Sequence, residues 1–216
     1  MAWHSGLVGF FAWDNNTYYQ PRLLRALPKP CARVLDVGCG KGVFAARLAR
    51  RAGEVDALDS SAEMIAAAKR NVPGNVTCLL GDVGEVSLPD DSYDAITSIS
   101  ALHHMSLPHV LPKLAAALRP GGVLVAIAHY RMEYPRDLPA QILSLLTIYG
   151  RRAVLLGVPS ARRYRRELDE SGMPVKDPEL TLPEVRGQVR DVLPEARVRR
   201  LVQWRYELAW RKPESS

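Results

Sequence analysis

The chain has 216 residues, of which 47% are hydrophobic and 24% are charged, and its formal net charge at pH 7 is +6. This composition is that of a soluble globular protein, and the length suits one α/β domain with a substantial core. Its three cysteines, Cys31, Cys39 and Cys78, have no Cys-x-x-Cys spacing, which argues against a disulfide framework and a zinc site. We therefore expect no metal.

No apolar run approaches the roughly 20 residues that span a bilayer, and the start of the chain lacks a basic leader and a cleavage pattern. We expect a cytoplasmic protein without a membrane span. Residues 131–216 carry 17 Lys and Arg against 12 Asp and Glu, whereas residues 1–130 carry 12 against 11. The basic carboxyl-terminal half keeps RNA binding open as an alternative, although interspersed acids favour solvated helix faces.

The predicted elements of the first 130 residues alternate between strands and helices, as in a parallel sheet covered on both faces. The strand candidates are Arg33–Val37, Glu54–Asp59, Val76–Leu80, Tyr93–Ser98 and Val123–His129. The helix candidates between them are Val43–Arg51, Ala62–Asn71 and Leu107–Leu118. The segment Arg119-Pro120-Gly121-Gly122 is predicted to end the last helix and to turn into the fifth strand, because proline cannot continue a helix and glycine permits the turn.

The alternation stops after His129, and residues 131–182 are interpreted as an insertion. It contains an apolar helix, Leu138–Leu156, and a charged helix, Ser160–Glu170. The first has apolar residues almost all round, which suits a helix buried over a hydrophobic pocket better than a membrane-surface helix.

The last elements are a helix and one or two strands. Helix Leu182–Leu193 follows Thr181, a cap candidate with Glu184 three residues on. The segment Arg197–Lys212 is rich in strand-forming residues but has no Gly or Asn turn, so it predicts either one bulged strand or a tight hairpin near Trp204.

The first strand runs directly into a glycine-rich turn, Gly38-Cys39-Gly40-Lys41-Gly42. Glycines at alternate positions let the backbone turn tightly and let a ligand lie against main-chain N–H groups. Dinucleotide sites use the same geometry. Asp36 favours another ligand, because a carboxylate repels a pyrophosphate and attracts an ammonium group.

Two further aspartates follow predicted strands, at the edge where ligands of doubly wound sheets bind. Asp59 ends the second strand, where a carboxylate can accept hydrogen bonds from both ribose hydroxyls. Asp82 follows the third strand and can accept from an adenine amino group, while Val83 packs on the ring or donates its backbone N–H.

Residues 30–130 resemble the core of the class I S-adenosylmethionine (SAM) methyltransferases of the small-molecule type, similar to those of menaquinone and ubiquinone biosynthesis. Five segments in order carry the resemblance: Leu35–Gly42, Leu58-Asp59-Ser60-Ser61 with Met64, Gly81-Asp82-Val83, Tyr93-Asp94-Ala95-Ile96 with a following Leu-His-His, and Leu118–Gly122. Lys41 departs from the pattern where threonine or serine is commoner, and Ser60 where proline often sits. The resemblance implies SAM as cofactor and S-adenosylhomocysteine as product.

The resemblance also implies residue roles. The glycines would surround the methionine moiety, Asp59 the ribose, and Asp82 with Val83 the adenine, while Ser98 or Ile99 would meet the ammonium through a backbone carbonyl. The expected cofactor-binding residues are Tyr18, Tyr19, Asp36, Gly38, Cys39, Gly40, Gly42, Asp59, Ser60, Met64, Asp82, Val83, Ser98 and Ile99. Tyr18 and Tyr19 belong to an aromatic leader with Trp3, Phe10, Phe11 and Trp13, a lid in similar enzymes.

Methyl transfer needs alignment and exclusion of water, and a hydroxyl acceptor also needs a base poised near neutral pH. His103 and His104 are the catalytic candidates, as a base or a substrate contact, with His129 and Tyr130 as further candidates. A structural role stays open for each histidine. The adjacent pair improves the prospect that one faces the pocket, although the sequence does not show which.

We expect a single domain of residues 1–216 with a Rossmann-like, doubly wound, mostly parallel seven-stranded sheet and helices on both faces. Its parts are an N-terminal lid (1–30), a cofactor-binding core (31–130), a helical cap insertion (131–182), and a last helix with C-terminal strand or strands (183–216). The expected function is methylation of a small or medium, partly apolar organic molecule. RNA methylation is the alternative, and a SAM-fold binding protein without turnover is a second. We expect a small-molecule substrate rather than nucleic acid, and a monomer or homodimer.

Overall fold

The computed structural model of the chain describes residues 15–139, 142–143, 177–202 and 204–214. The predicted helix Ser160–Glu170, nearly all of the predicted helix Leu138–Leu156, and the aromatic residues Trp3, Phe10, Phe11 and Trp13 lie outside the described residues.

Seven strands form one sheet in the order β3-β2-β1-β4-β5-β7-β6. The strands are β1 Arg33–Val37, β2 Glu54–Asp59, β3 Val76–Leu80, β4 Tyr93–Ile99, β5 Leu118–His129, β6 Arg197–Arg200 and β7 Arg205–Arg211. The first five pair in parallel, whereas β7 pairs antiparallel with both β5 and β6. The predicted doubly wound, mostly parallel sheet is confirmed.

The helices cover both faces of this sheet. Within the described residues they are α1 Asn15–Ala26, α2 Val43–Leu48, α3 Ala62–Asn71, α4 Leu107–Ala117 and α5 Leu182–Val192, and Leu102–His104 forms a 3₁₀ turn. Buried residues of α1, α2 and α3 pack on one face, and those of α4 and α5 pack on the other. In the described part of the chain, no helix combines the length and apolar character needed to cross a bilayer.

The bounds of β1, β2, β3 and α3 are those predicted, and β4 extends one residue further, to Ile99. Helix α2 ends at Leu48 rather than at Arg51. The N–H groups of Arg50 and Arg51 donate to the carbonyls of Arg47 and Leu48, and such bonds to the third preceding residue tighten the chain out of α geometry.

The prediction that residues 119–122 turn the chain before the fifth strand is wrong. Helix α4 ends at Ala117, and Leu118 already pairs with Tyr93 of β4. The register then shifts between Tyr93 and Ala95, so the glycines accommodate an irregularity within β5. Gly121 has a φ of 76°, in the left-handed region that favours glycine.

The predicted cap of the last helix is confirmed. Thr181 accepts from the N–H of Glu184, whose carboxylate accepts from the N–H of Thr181, so a complete capping box begins α5. The carboxyl-terminal segment is a hairpin rather than one bulged strand. Its turn is closed by the N–H of Leu201 donating to the carbonyl of Arg205, and Trp204 supplies the left-handed residue with a φ of 56°.

Candidate active site

A cavity of about 480 Å³ opens at the edge of the sheet formed by the carboxyl ends of the parallel strands. Twelve of the predicted site residues line it: Asp36, Gly38, Cys39, Gly40, Asp59, Ser60, Met64, Asp82, Val83, Ile99, His103 and His104. The predicted residues Tyr18, Tyr19, Gly42 and Ser98 are not part of its wall. The tertiary structure therefore brings most of the predicted set to one place.

The glycine-rich turn forms the wall at the end of β1. Gly38 has a φ of 71°, and a Cβ atom placed on it would lie 2.2 Å from the Cβ of Ala101. The N–H groups of Gly38 and Cys39 both donate to the carbonyl of Leu58, at 2.8 and 3.0 Å. This first glycine is therefore required both by its backbone conformation and by the close approach of the segment after β4.

Gly42 has a packing role in this structure. It precedes α2 with a φ of 77°, and a Cβ atom there would lie 2.7 Å from Cγ1 of Val72 and 3.1 Å from Cβ of Ala68. Because this third glycine has no side chain, the start of α2 can pack closely against α3. This packing holds the glycine-rich turn in position.

Asp59, at the end of β2, organises the turn through both carboxylate oxygens. Its Oδ2 accepts from the N–H of Gly40 at 2.8 Å, and its Oδ1 accepts from the N–H of Ser61 at 2.9 Å. A carboxylate oxygen has more than one acceptor site, so both oxygens retain capacity for a ligand hydroxyl. Met64, on the first turn of α3, is buried and lines the same cavity.

Asp36, on β1, places a buried carboxylate at the cavity wall. It is 2% exposed, and its Oδ1 accepts from the hydroxyl of Thr97 at 3.0 Å. Its Oδ2 has no hydrogen-bond partner among the described residues. Burial, opposed by the Thr97 hydrogen bond and aided by the charge of Asp59, raises the pKa of Asp36 to about 7. An ammonium group would satisfy the orphaned oxygen and favour the charged form.

Asp82 and Val83 follow β3 and line the same cavity, at the carboxyl ends of the parallel strands. Oδ1 of Asp82 accepts from the N–H of Gly84 at 2.7 Å, which fixes the carboxyl group at the start of a turn, and the side chain is exposed. Val83 is 2% exposed and lines the cavity, so it offers an apolar surface for a flat ring. We call the part of the wall that contains Asp36, Asp59 and Asp82 the acidic end.

The residue of α1 that lines the cavity is neither of the two predicted tyrosines, Tyr18 and Tyr19. Tyr19 is buried and its hydroxyl donates to the carbonyl of Val202 at 2.9 Å, and Tyr18 lies edge-on to it with ring centroids 4.8 Å apart. The next residue, Gln20, lines the cavity and is 2% exposed, and its Oε1 has no partner among the described residues. Nothing in the sequence distinguished Gln20 from the tyrosines before it.

Three histidines form a cluster beyond the end of β4. The rings of His103 and His104 have centroids 3.9 Å apart, and the ring of His129, at the end of β5, lies 4.8 Å from that of His103. All three line the cavity, whereas the fourth base candidate, Tyr130, is a buried core residue outside its wall. Burial, with the positive charge of Arg205 and the neighbouring His104, lowers the pKa of His129 to about 4. His129 is therefore neutral at pH 7.

Arg205, the first residue of β7, completes this part of the wall and was not predicted. It is 3% exposed, pairs in the sheet with His129, and donates from Nη1 to the hydroxyl of Ser100 at 3.0 Å. Its guanidinium carbon lies 5.5 Å from the centre of the Tyr19 ring. We call the part of the wall that contains His103, His104, His129 and Arg205 the basic end.

Among the described residues, no group of three or more His, Cys, Asp or Glu side chains is placed to hold a metal ion. The cavity instead offers three carboxylates, an amide and a basic end, joined by apolar surface that includes Phe44, Leu58 and Met105. Such a wall suits a ligand with an adenosine-like part and an ammonium group.

Comparisons with known proteins agree with this geometry. Residues 34–122 match the model of a methyltransferase domain family. An uncharacterized methyltransferase of Mycobacterium tuberculosis is 34% identical over 204 residues, which cover 93% of this chain and 98% of that protein. The structure of a SAM-dependent methyltransferase from Aquifex aeolicus superposes with a TM-score of 0.61 at 17% identity, covering 95% of this chain and 97% of that one.

Two relatives share only part of the chain. A ribosomal RNA small subunit methyltransferase C of Chromohalobacter salexigens is 34% identical over 150 residues, 62% of this chain and 43% of that protein. A trans-aconitate 2-methyltransferase of Deinococcus radiodurans is 37% identical over 125 residues, 52% of this chain and 47% of that protein. Their names describe very different acceptors, so the shared part does not specify the acceptor.

Proposed function

Because the chain belongs to the class I SAM-dependent methyltransferases, we propose that it methylates a small or medium-sized organic molecule with an apolar part, bound next to SAM in the cavity. One observation carries this proposal: the acidic end and the basic end line a single cavity of about 480 Å³ with apolar side chains in its wall. That volume lies within the range of small-molecule sites.

The cofactor is proposed to lie along the acidic end. Asp59 would accept from the ribose hydroxyls, and Asp82 with Val83 would hold the adenine. The orphaned Oδ2 of Asp36 supports a place for the methionine ammonium, since a buried carboxylate oxygen without a partner is costly unless a ligand satisfies it. SAM supplies a methyl group on a positively charged sulfur when it is bound.

The residues of this chain would then align the acceptor and exclude water. The apolar surface around Met105 and Ile99 would replace water next to the acceptor. A hydroxyl acceptor would lose its proton to His103 or His104. His129 is poorly matched to that task, because its low pKa makes it a weak base at neutral pH.

RNA is the second candidate acceptor, favoured by the basic carboxyl-terminal half and by the partial likeness to a ribosomal RNA enzyme. The two candidates are separated by methyl transfer from labelled SAM to a cell extract divided into small-molecule and RNA fractions. We expect label in the small-molecule fraction. Label confined to RNA, with binding of RNA that weakens steeply as salt is raised, would favour the second candidate.

The placement of the cofactor is tested by calorimetric titration with S-adenosylhomocysteine. We expect the wild-type protein to bind it and not NAD, and Asp59→Ala to weaken binding by about 100-fold or more, because charged hydrogen bonds to the ribose are lost. Asp90→Ala, which changes an exposed acid outside the cavity wall, is the matched control. An unchanged affinity of Asp59→Ala would refute the proposed role.

A further inference from the structure

The two edges of the seven-stranded sheet differ in the residues that they carry. At the β6 edge, three of the four strand residues are arginine, and Arg186 of α5 donates to the carbonyl of Val198 at 3.3 Å. At the β3 edge, all five strand residues are uncharged, and Leu80 is 56% exposed. Charged side chains protect an open edge from pairing with another strand, whereas an uncharged edge with exposed apolar residues is a template for it. The β3 edge is therefore the one suited to a further strand.

The backbone groups on the outer side of β3 belong to alternate residues. The N–H of Val55 donates to the carbonyl of Asn75, and the N–H of Gly81 donates to the carbonyl of Asp59. The odd-numbered residues of β3 therefore bond to β2. Residues 76, 78 and 80 direct their N–H and C=O groups away from the sheet, because these groups alternate in direction along a strand.

Most of these outward groups lack a partner in the described part of the chain. The N–H of Val76 donates to the carbonyl of Pro73 at 3.1 Å. The N–H groups of Cys78 and Leu80 have no such acceptor among the described residues. The edge thus presents two free donors and the outward carbonyls of the same strand.

From this edge we infer that the protein forms a homodimer in which β3 pairs antiparallel with β3 of a second copy, with the two-fold axis at Cys78. In this register Cys78 lies opposite its own copy, Val76 lies opposite Leu80, and Thr77 lies opposite Leu79. The N–H of each Cys78 donates to the carbonyl of the other, and the N–H of each Leu80 donates to the carbonyl of the facing Val76. Both free donors are satisfied, and the exposed side chain of Leu80 gains an apolar neighbour. This inference does not rest on the proposed function.

The charges of α3 favour a second copy of this chain as the partner. Glu63 is exposed in the first turn of α3, and Lys69 and Arg70 are exposed in its last turn. Because α3 packs on β2 and β3, its two copies would run antiparallel about 10 Å apart, which is two strand spacings and a usual distance between packed helices. The acidic start of each helix would lie beside the basic end of the other. The exposed Ala66 between them leaves room for this approach.

The first test is the mass of the full chain in solution, measured by sedimentation equilibrium at about 1–100 μM. We expect a mass twice that of the 23.9 kDa chain at the upper end of this range. A monomer at every concentration would overturn the inference.

A charge placed in the strand pair should break the dimer. Leu80→Lys changes an exposed side chain, and it should raise the dissociation constant of the dimer by about tenfold or more, because a charge replaces an apolar cross-strand contact. Leu143→Lys, at a leucine that is 53% exposed and lies outside the sheet, is the matched control and should leave the constant unchanged. Equal dissociation constants for Leu80→Lys and the wild type would overturn the inference.

Exchange of the charges on α3 tests the antiparallel arrangement. Arg70→Glu and Glu63→Arg should each weaken the dimer by about three- to tenfold, because like charges then meet across the axis. The double variant restores opposite charges and should recover the wild-type affinity to within about threefold. A double variant as weak as either single variant would overturn the arrangement.

Cys78 provides a test of the register. Opposite Cα atoms of a hydrogen-bonded antiparallel pair lie about 5.5 Å apart, which a disulfide can span. Oxidation of the dimer with copper phenanthroline, which takes one electron from each thiol as its proton leaves, should give a covalent dimer that a reducing agent separates. Cys78→Ser should abolish this product, whereas Cys31→Ala, which removes a buried cysteine before β1, should keep it. A dimer that gives no product through Cys78 would show that another face pairs and overturn the inference.

Discussion

The two ends of the cavity are built from contacts of very different sequence separation. At the acidic end, Asp59 holds Gly40 across 19 residues, and both residues belong to short segments at the ends of neighbouring parallel strands. At the basic end, Arg205 holds Ser100 across 105 residues, and it is brought there by an antiparallel strand near the carboxyl end of the chain. Asp59 and Gly40 thus meet as soon as two neighbouring parallel strands pair, whereas Arg205 reaches Ser100 only when the carboxyl-terminal strand has paired with β5.

The largest effect on stability and on ligand binding is expected from a substitution of Gly38, in the glycine-rich turn. Gly38→Ala combines a strained φ of 71° with a Cβ 2.2 Å from that of Ala101, so it should destabilise the protein by about 4 kcal/mol and abolish binding of S-adenosylhomocysteine. Thermal unfolding and calorimetry measure the two effects.

A double variant sharpens this result. Gly38→Ala with Ala101→Gly removes the clashing atom and leaves the backbone strain, so it should recover roughly half of the lost stability. Gly187→Ala is the control, because a Cβ there meets nothing within 4 Å, and in the interior of α5 it should stabilise the protein by about 0.5–1 kcal/mol. Equal changes of stability in Gly38→Ala and Gly187→Ala would contradict the close approach of Gly38 to Ala101.

A smaller effect on stability is expected from the buried carboxyl group of Asp36, at the acidic end. The pKa of Asp36 is raised from 3.8 to about 7, so the native state keeps a proton that the unfolded state has lost between these pH values. The wild-type protein should therefore lose about 2–3 kcal/mol of stability from this group between pH 5 and pH 8. Asp36→Asn should remove that loss and weaken binding of S-adenosylhomocysteine about tenfold at pH 8.

Denaturant unfolding of both proteins at pH 5 and pH 8 measures this difference, and Asp90→Asn, at an exposed site outside the cavity, is the control. The sign follows from protons bound: the unfolded state binds fewer protons across this window, so stability falls as pH rises. The same change of stability with pH in the wild type and in Asp36→Asn would contradict the raised pKa.

The smallest effect on stability is expected from His129, at the basic end, and its contribution to stability changes with pH in the opposite direction to that of Asp36. The pKa of His129 is lowered from 6.5 to about 4, so between these values the unfolded state binds the extra proton and stability rises with pH. His129→Asn should remove this contribution, which is about 2 kcal/mol at pH 5. Unfolding at pH 5 and pH 7.5 measures it. A kinetic pKa near 6.5 that disappears in His129→Asn would contradict a neutral His129.

Much of the fold could be predicted because the runs of apolar residues and the turn residues that mark each strand lie within short stretches of sequence. Strands β1 and β2 are short, mostly buried runs and β3 is a partly exposed apolar run, and a glycine lies next to one end of each, so their predicted bounds are those of the structure. The start of β5 could not be predicted in this way, because the pairing of Leu118 with Tyr93 of β4 competes with the turn signal of Pro120 and Gly121. The hairpin near Trp204 was one of two predicted alternatives, since its turn uses no glycine.

The sequence by itself determined the family, the doubly wound, mostly parallel sheet and which aspartates follow its strands, because these follow from short segments at the strand ends and from the alternation of strands and helices along the chain. Only the tertiary structure decided that Gly42 packs against α3, that Gln20 rather than Tyr18 or Tyr19 reaches the cavity, and that Arg205 faces the three histidines. These placements depend on distant segments meeting across the sheet. A sequence pattern specifies periodicity and turns, but which distant side chains meet is set by strand pairing and packing.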